Sequence, residues 1–173
     1  CDWSSDVCSS DLATTAITAR LADFFGNPVA DNTAVSMIAS GSSISNAGGN
    51  GSCLTLNGVC SVTFTSQNFR PANGRVAITA YAAGLESFDA NNNGVFDAGE
   101  QCEHKGAPFL DTNENGVWDS GETYIANISP STNAVKAATA CASRTPTYIY
   151  GQLTVVLSSS ATKLMLLSGS PNF

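Results

Sequence analysis

An all-β fold, an antiparallel β-sandwich, is what this chain predicts on three observations: runs of period-2 alternation, turn residues between the runs, and no amphipathic helix of useful length. Alternation gathers apolar side chains on one face of each strand, and a sheet with one apolar face must cover it with a second layer. Of the 173 residues, about 160 serve the fold, a length that suits one domain with an insert.

The first strand is predicted where Ile17, Ala19 and Leu21 alternate with Thr18 and Arg20. Phe25 to Pro28 (FGNP) breaks that run, and Val35 and Met37 resume it. Further on, Cys60, Val62 and Phe64 alternate with Ser61, Thr63 and Thr65. The segment Arg70 to Gly74 (RPANG) then turns the chain into Val76 to Ala82 (VAITAYA), a strand with Val76, Ile78 and Ala80 on one face. Near the end, Ile149, Gly151, Leu153, Val155 and Leu157 share a face, and Lys163 to Leu167 adds or extends a strand. Residues 1–12 (CDWSSDVCSSDL) resemble a sequencing-library adapter translated in frame, and the chain has no initiator Met. They are set aside from the fold reading as an expected artefact.

Without Cys1 and Cys8, four cysteines remain: Cys53, Cys60, Cys102 and Cys141. An even number in a short, lysine-poor chain rich in Ser, Thr, Asn and Gly predicts two disulfides and an oxidising compartment. Cys53 and Cys60 flank LTLNGV, in which Asn57 and Gly58 supply a hairpin turn, so a bond across that hairpin is geometrically reasonable. Cys102 is then left to pair with Cys141, a closure worth about 3–4 kcal/mol on a chain-entropy estimate. Zinc is the rival use of four cysteines, but no CxxC spacing is present and the only histidine is His104.

Two copies of one twelve-residue pattern, Asp89 to Glu100 (DANNNGVFDAGE) and Asp111 to Glu122 (DTNENGVWDSGE), start 22 residues apart. Oxygen-bearing side chains fall at positions 1, 3, 5, 9 and 12, with Gly at 6, as in the calcium loops of EF-hands. A hard cation takes six to eight oxygens, and alternate residues of a tightly wound loop point inward around it. The first ligand set is Asp89, Asn91, Asn93, the main-chain carbonyl of Val95, Asp97 and bidentate Glu100. The second is Asp111, Asn113, Asn115, the carbonyl of Val117, Asp119 and Glu122. Two Ca²⁺ sites are therefore expected. Position 8 is Phe96 in one loop and Trp118 in the other, an apolar anchor to a neighbouring element.

The flanks argue against a calcium switch. A strand enters the first loop, and the linker Gln101 to Leu110, broken by Gly106 and Pro108, has no room for a helix pair. The expected metal is structural, holding together three carboxylates per loop that otherwise repel one another. Charge agrees: residues 86–122 carry nine acids against Lys105, while residues 13–85 and 123–173 together carry two acids and six bases. The acidic balance is thus local to the loops, which points to cations and away from nucleic acid. With two Asn ligands per loop the affinity falls in the roughly 10⁻⁴ to 10⁻³ M class of extracellular modules. At about 1 mM free calcium, a ~10⁻⁴ M site contributes roughly 1.4 kcal/mol per loop.

The order of these segments resembles a family. ITARLADFFGNPVADNTAVSMIASGSSI (residues 17–44) followed by GVCSVTFTSQNFRPANGRVAITAYAAGLESF (residues 58–88) is similar to bacterial immunoglobulin-like domains of the intimin and invasin type. The match departs at Asn68 and Phe69, ahead of Arg70-Pro71, and it covers residues 13–88; YGQLTVVLS (residues 150–158) and the calcium insert look like an extension found in some members. The resemblance implies an immunoglobulin-like sandwich over 13–88, a calcium-loop insert over 89–130, and closing strands with a C-terminal extension over 131–173. It also implies a non-catalytic stalk or repeat module of a bacterial surface or secreted adhesin-like protein. Its partners would be adjacent domains of the same chain and a ligand on a host or neighbouring cell, with no membrane span of its own.

No G-x-S-x-G elbow, HExxH or phosphate-binding Gly-rich loop occurs in the sequence, and His104 reads as an exposed linker residue. Tyr81, Tyr124, Tyr148, Tyr150 and Trp118 form no readable aromatic platform. The other class of function open to such a chain is a carbohydrate-binding or accessory module of a secreted enzyme. Exposed, coplanar aromatics on one sheet face would distinguish it.

Overall fold

A computed structural model describes residues 13–46, 51–67, 71–103, 105–126, 144 and 146–157. Their regular elements are all strands: β1 (Thr14–Arg20), β2 (Ala34–Ala39), β3 (Ser43–Ser45), β4 (Ser52–Leu54), β5 (Val59–Thr65), β6 (Arg75–Gly84) and β7 (Thr147–Val156). They form two antiparallel sheets, one of order β1-β5-β3 and one of order β4-β2-β6-β7. Among the described residues no helix is long and apolar enough to cross a membrane. Residues 1–12, Cys141 and Lys163 to Leu167 lie outside the described residues.

The core forms where the alternating faces meet. Ile17 of β1 and Cys60, Val62 and Phe64 of β5 pack against Val35 and Met37 of β2 and Val76, Ile78 and Ala82 of β6. The intervening hydroxyls face outward, and Thr18 Oγ1 lies 2.8 Å from Ser61 Oγ across the β1–β5 ladder. The expected turn at Asn57-Gly58 is present: both residues have positive φ (51° and 70°), and Leu56 and Val59 exchange main-chain hydrogen bonds around them. The Cys53–Cys60 disulfide also forms, with Cα atoms 5.8 Å apart. It does more than cross a hairpin, because β4 pairs with β2 while β5 pairs with β1 and β3. The bond therefore staples one sheet to the other, for about 2–3 kcal/mol.

Strand β6 is buried on both faces. Val76 and Ile78 face the core, whereas Ala77 and Thr79 face away from it and are also buried, at 5% and 0% exposure. The cover on that outer face comes from the segment between β6 and β7. At one edge of each sheet, β1 and β7 have no strand partner on their outer side among the described residues. A cleft of about 620 Å³ opens between them, lined by Ile17, Ala19 and Leu21 from one sheet and Ile78, Ile149 and Leu153 from the other. Leu153, on the core side of β7, is consequently 42% exposed.

Ala13 and Leu157 lie at one pole of the sheets. Ser66 donates to the Ala13 carbonyl at 2.9 Å, and Leu157 donates to the Gly74 carbonyl at 2.7 Å, so both residues flank the connection from β5 to β6. At the other pole, Asp23 holds a tight turn by accepting from the main-chain N–H of Phe25 (2.9 Å) and Asn27 (2.8 Å) and from the Asn27 amide (3.0 Å).

A Cβ at Gly58 would lie 2.5 Å from the Leu21 carbonyl oxygen and 2.9 Å from Pro28 Cβ, while one at Gly94, also at positive φ, meets nothing within 4 Å. Gly58→Ala is expected to cost about 2 kcal/mol or more in urea unfolding, against about 1 kcal/mol for Gly94→Ala. The hydrogen bonds from Asn27 hold the Asp23 carboxyl below its usual range. A depressed folded-state pKa gives stabilisation that is complete above the unfolded value and lost as pH falls through the folded one. The Asn27 amide should therefore lose hydrogen-exchange protection on acidification, before the β6 amides do; simultaneous loss would show that the turn does not open locally.

Candidate metal centres

Each predicted loop is the tip of a short two-stranded ribbon. Below the first, Ser87 bridges Cys102 and Phe88 donates to the Gln101 carbonyl at 2.9 Å; below the second, Phe109 bridges Tyr124 and Leu110 donates to the Thr123 carbonyl at 2.8 Å. Antiparallel pairing closes the base of each loop where an EF-hand would place helices. Non-helical flanks were legible in the sequence; the ribbon itself was not.

Within the loops the same frame appears twice. The position-1 carboxylate accepts from the amides of positions 5 and 6: Asp89 from Asn93 (3.2 Å) and Gly94 (2.8 Å), Asp111 from Asn115 (3.1 Å) and Gly116 (2.7 Å). One oxygen of the position-9 carboxylate accepts from both asparagine side chains, Asn91 and Asn93 onto Asp97 (2.8 and 2.6 Å), Asn113 and Asn115 onto Asp119 (both 2.7 Å). The position-12 carboxylate accepts from positions 2 and 9: Glu100 from Ala90 and Asp97 (both 2.8 Å), Glu122 from Thr112 (2.7 Å) and Asp119 (3.1 Å). Val95 and Val117, each expected to offer only its main-chain carbonyl, turn their side chains to solvent.

Each residue of the expected ligand sets can offer a hard oxygen, and the asparagine Oδ1 atoms that accept one main-chain N–H each, Asn93 from Val95 and Asn115 from Val117, keep a second lone pair. Among the described residues no three His, Cys, Asp or Glu side chains are grouped to hold an ion; the asparagine amides of each loop are turned onto its position-9 acid as donors. Those donors also set the acidity. Hydrogen bonds from Asn91 and then Asn93 hold the Asp97 carboxyl below its usual range. Burial raises the Glu122 carboxyl, but hydrogen bonds from the main chain and hydroxyl of Thr112 and the main chain of Asp119 and Asn113 outweigh it and leave it lowered.

The two loops are joined by a strap laid on the outer face of β6 and β7. Glu103 donates to the Glu86 carbonyl (2.9 Å), the Tyr150 hydroxyl donates to the Lys105 carbonyl (3.1 Å), and the Phe109 carbonyl accepts from Thr79 Oγ1 (2.6 Å) and Gln152 Nε2 (2.7 Å). Ala107, Phe109 and Leu110 are buried there, and the Phe109 ring meets Tyr150 edge-on. At the far end, Glu114 of the second loop pairs with Arg75 through both carboxylate oxygens. Since Glu86 lies just past β6 and Arg75 begins it, the strap runs the length of the strand. The first loop stands at one pole and the second near the other.

Sequence reasoning did not single out Glu114 or Arg144. Position 4 takes positive φ in both loops, Asn92 at 60° and Glu114 at 61°. Asparagine tolerates that region, whereas glutamate there is costly, and the Arg75 pair accounts for its presence. Arg144 stands 3.1 Å from Asp89. Of the anchors expected at position 8, Trp118 packs edge-on to Tyr124 and donates to the Glu122 carbonyl at 3.1 Å, while Phe96 is half-buried. Cys102 is disulfide-bonded, and its expected partner Cys141, like His104, lies outside the described residues. The exposed aromatics Phe24 and Phe25 lean on Phe88 at 37° and 77° and make no coplanar platform. No protein-family model, curated protein or solved structure matches the chain.

The Phe109 carbonyl gives a test of the strap. Thr79→Val removes one of its two donors and should cost about 1 kcal/mol, because Gln152 still satisfies the oxygen; adding Gln152→Ala orphans it, and the double variant should cost more than the sum of the singles. Additive losses in urea unfolding would show that the carbonyl is not the shared acceptor.

Proposed function

We propose that this chain is a non-catalytic, calcium-stiffened immunoglobulin-like module, a stalk or repeat unit of a bacterial surface or secreted adhesin-like protein. The observation that carries the reading is the repeated frame: two loops with the same oxygen-donor set, bonded in the same way, fixed at the two ends of one strap. A cation in each loop would neutralise three carboxylates and fasten both ends of the strap against the sheet. The ligands would be Asp89, Asn91, Asn93, Val95, Asp97 and Glu100 in the first loop, and Asp111, Asn113, Asn115, Val117, Asp119 and Glu122 in the second. The second loop lies beside Arg75, at the start of β6. Metal there would stiffen the end of the insert that meets the sheet, and the neighbouring domains of the same chain would meet a stiffer module.

Such a module works outside the cell, where millimolar calcium and an oxidising milieu suit weak sites and disulfides. Its partners are neighbouring domains and, through the assembled protein, a ligand on a host or neighbouring cell. Chelation tests this directly. Limited proteolysis in 1 mM calcium and in excess chelator should differ, with faster cleavage within residues 86–126 once calcium is withdrawn. The double variant Glu100→Gln/Glu122→Gln should cleave at the fast rate in both conditions. Equal cleavage of the unaltered chain with and without calcium would sink the proposal.

A further inference from the structure

The contact between Arg144 and Asp89 is long-range and unlike anything the loop pattern requires. Arg144 lies three residues ahead of β7, and its Nη1 stands 3.1 Å from Asp89 Oδ2, with the two side chains only 19% and 9% exposed. That nitrogen is buried and makes no hydrogen bond. The pair is therefore held by charge without a directed N–H···O bond, the weaker kind of ion pair and the easier to displace. Asp89 already accepts from Asn93 and Gly94, so the loop does not need Arg144 to satisfy this carboxylate.

We propose that Arg144 is a built-in competitor for the cation at the first loop, holding the affinity of that loop below what its oxygen ligands would otherwise give. The inference rests on the calcium reading above. A guanidinium against the position-1 ligand supplies part of the positive charge the acids attract, and it repels a divalent ion bound to the same carboxylate. Even at the dielectric constant of water, a unit charge in contact with a ligand oxygen weakens divalent binding roughly tenfold. Burial makes the effect larger, and salt screens it only in part. Because Arg144 belongs to the entry of β7, filling the first loop also alters what holds that entry in place.

The test is a calcium titration of the full chain by NMR, with the Gly94 amide reporting the first loop and the Gly116 amide the second. Arg144→Gln should lower the calcium midpoint read at Gly94 about tenfold and leave that at Gly116 unchanged, while Arg144→Lys should keep the Gly94 midpoint near its original value. Arg144→Met carries the same expectation should Arg144→Gln fold poorly. A Gly94 midpoint that stays the same or rises in Arg144→Gln and Arg144→Met overturns the assignment of Arg144 alone. Should neither glycine respond to calcium in the unaltered chain, the calcium reading itself fails, and this inference with it.

Discussion

A buried carbonyl shared by two strands sets where the insert lies on the sandwich. The Phe109 oxygen lies under the strap, cut off from solvent, and a buried carbonyl left without a donor is costly. Thr79 and Gln152 supply its donors from adjacent positions on paired strands, Thr79 and Gln152 being cross-strand partners in the β6–β7 register. The strap can therefore sit at only one height on the sheet. Both loops inherit their places from that register, the first beyond the end of β6 and the second beside its start.

Electrostatics then finishes what the carbonyl begins. Residues 86–122 carry nine acids and one lysine, an imbalance that on its own would push the segment away from itself. Two arginines from the sandwich meet it: Arg75 pairs with Glu114 at the second loop and Arg144 with Asp89 at the first. Hydrogen bonds lower the Glu114 carboxyl, that from Arg75 foremost, so the pair stays charged through the neutral range. The basic excess of the remaining chain thus has a structural use, since part of it is placed against the acidic insert.

Much of this was legible in the chain, for physical reasons that differ from element to element. The strand β5 could be read because Cys60, Val62 and Phe64 alternate with Ser and Thr over a full seven residues. The loops could be read because each ligand position has a chemical requirement. Strands β3 and β4 could not: each has three residues, and Ser-rich segments of that length show no period. The sequence VAITAYA carries a sign of its double burial. A near-continuous apolar run, with Ala77 between Val76 and Ile78, is the mark of a strand covered on both faces, and here the second cover is the insert. The inter-sheet character of the Cys53–Cys60 bond and the reach of Arg144 to Asp89 depend on tertiary placement, which no local pattern encodes.

The strap also changes how the sandwich would carry a load. An antiparallel hairpin pulled from one end opens like a zipper, one pair of hydrogen bonds at a time. Here β6 and β7 share ten paired positions, and the strap is fixed across them at Lys105, Phe109 and Glu114. A pull that separates the strands must slide or detach the overlying segment at several points together. The outer layer therefore acts as a clasp across the zipper, adding contacts that must break along with the ladder.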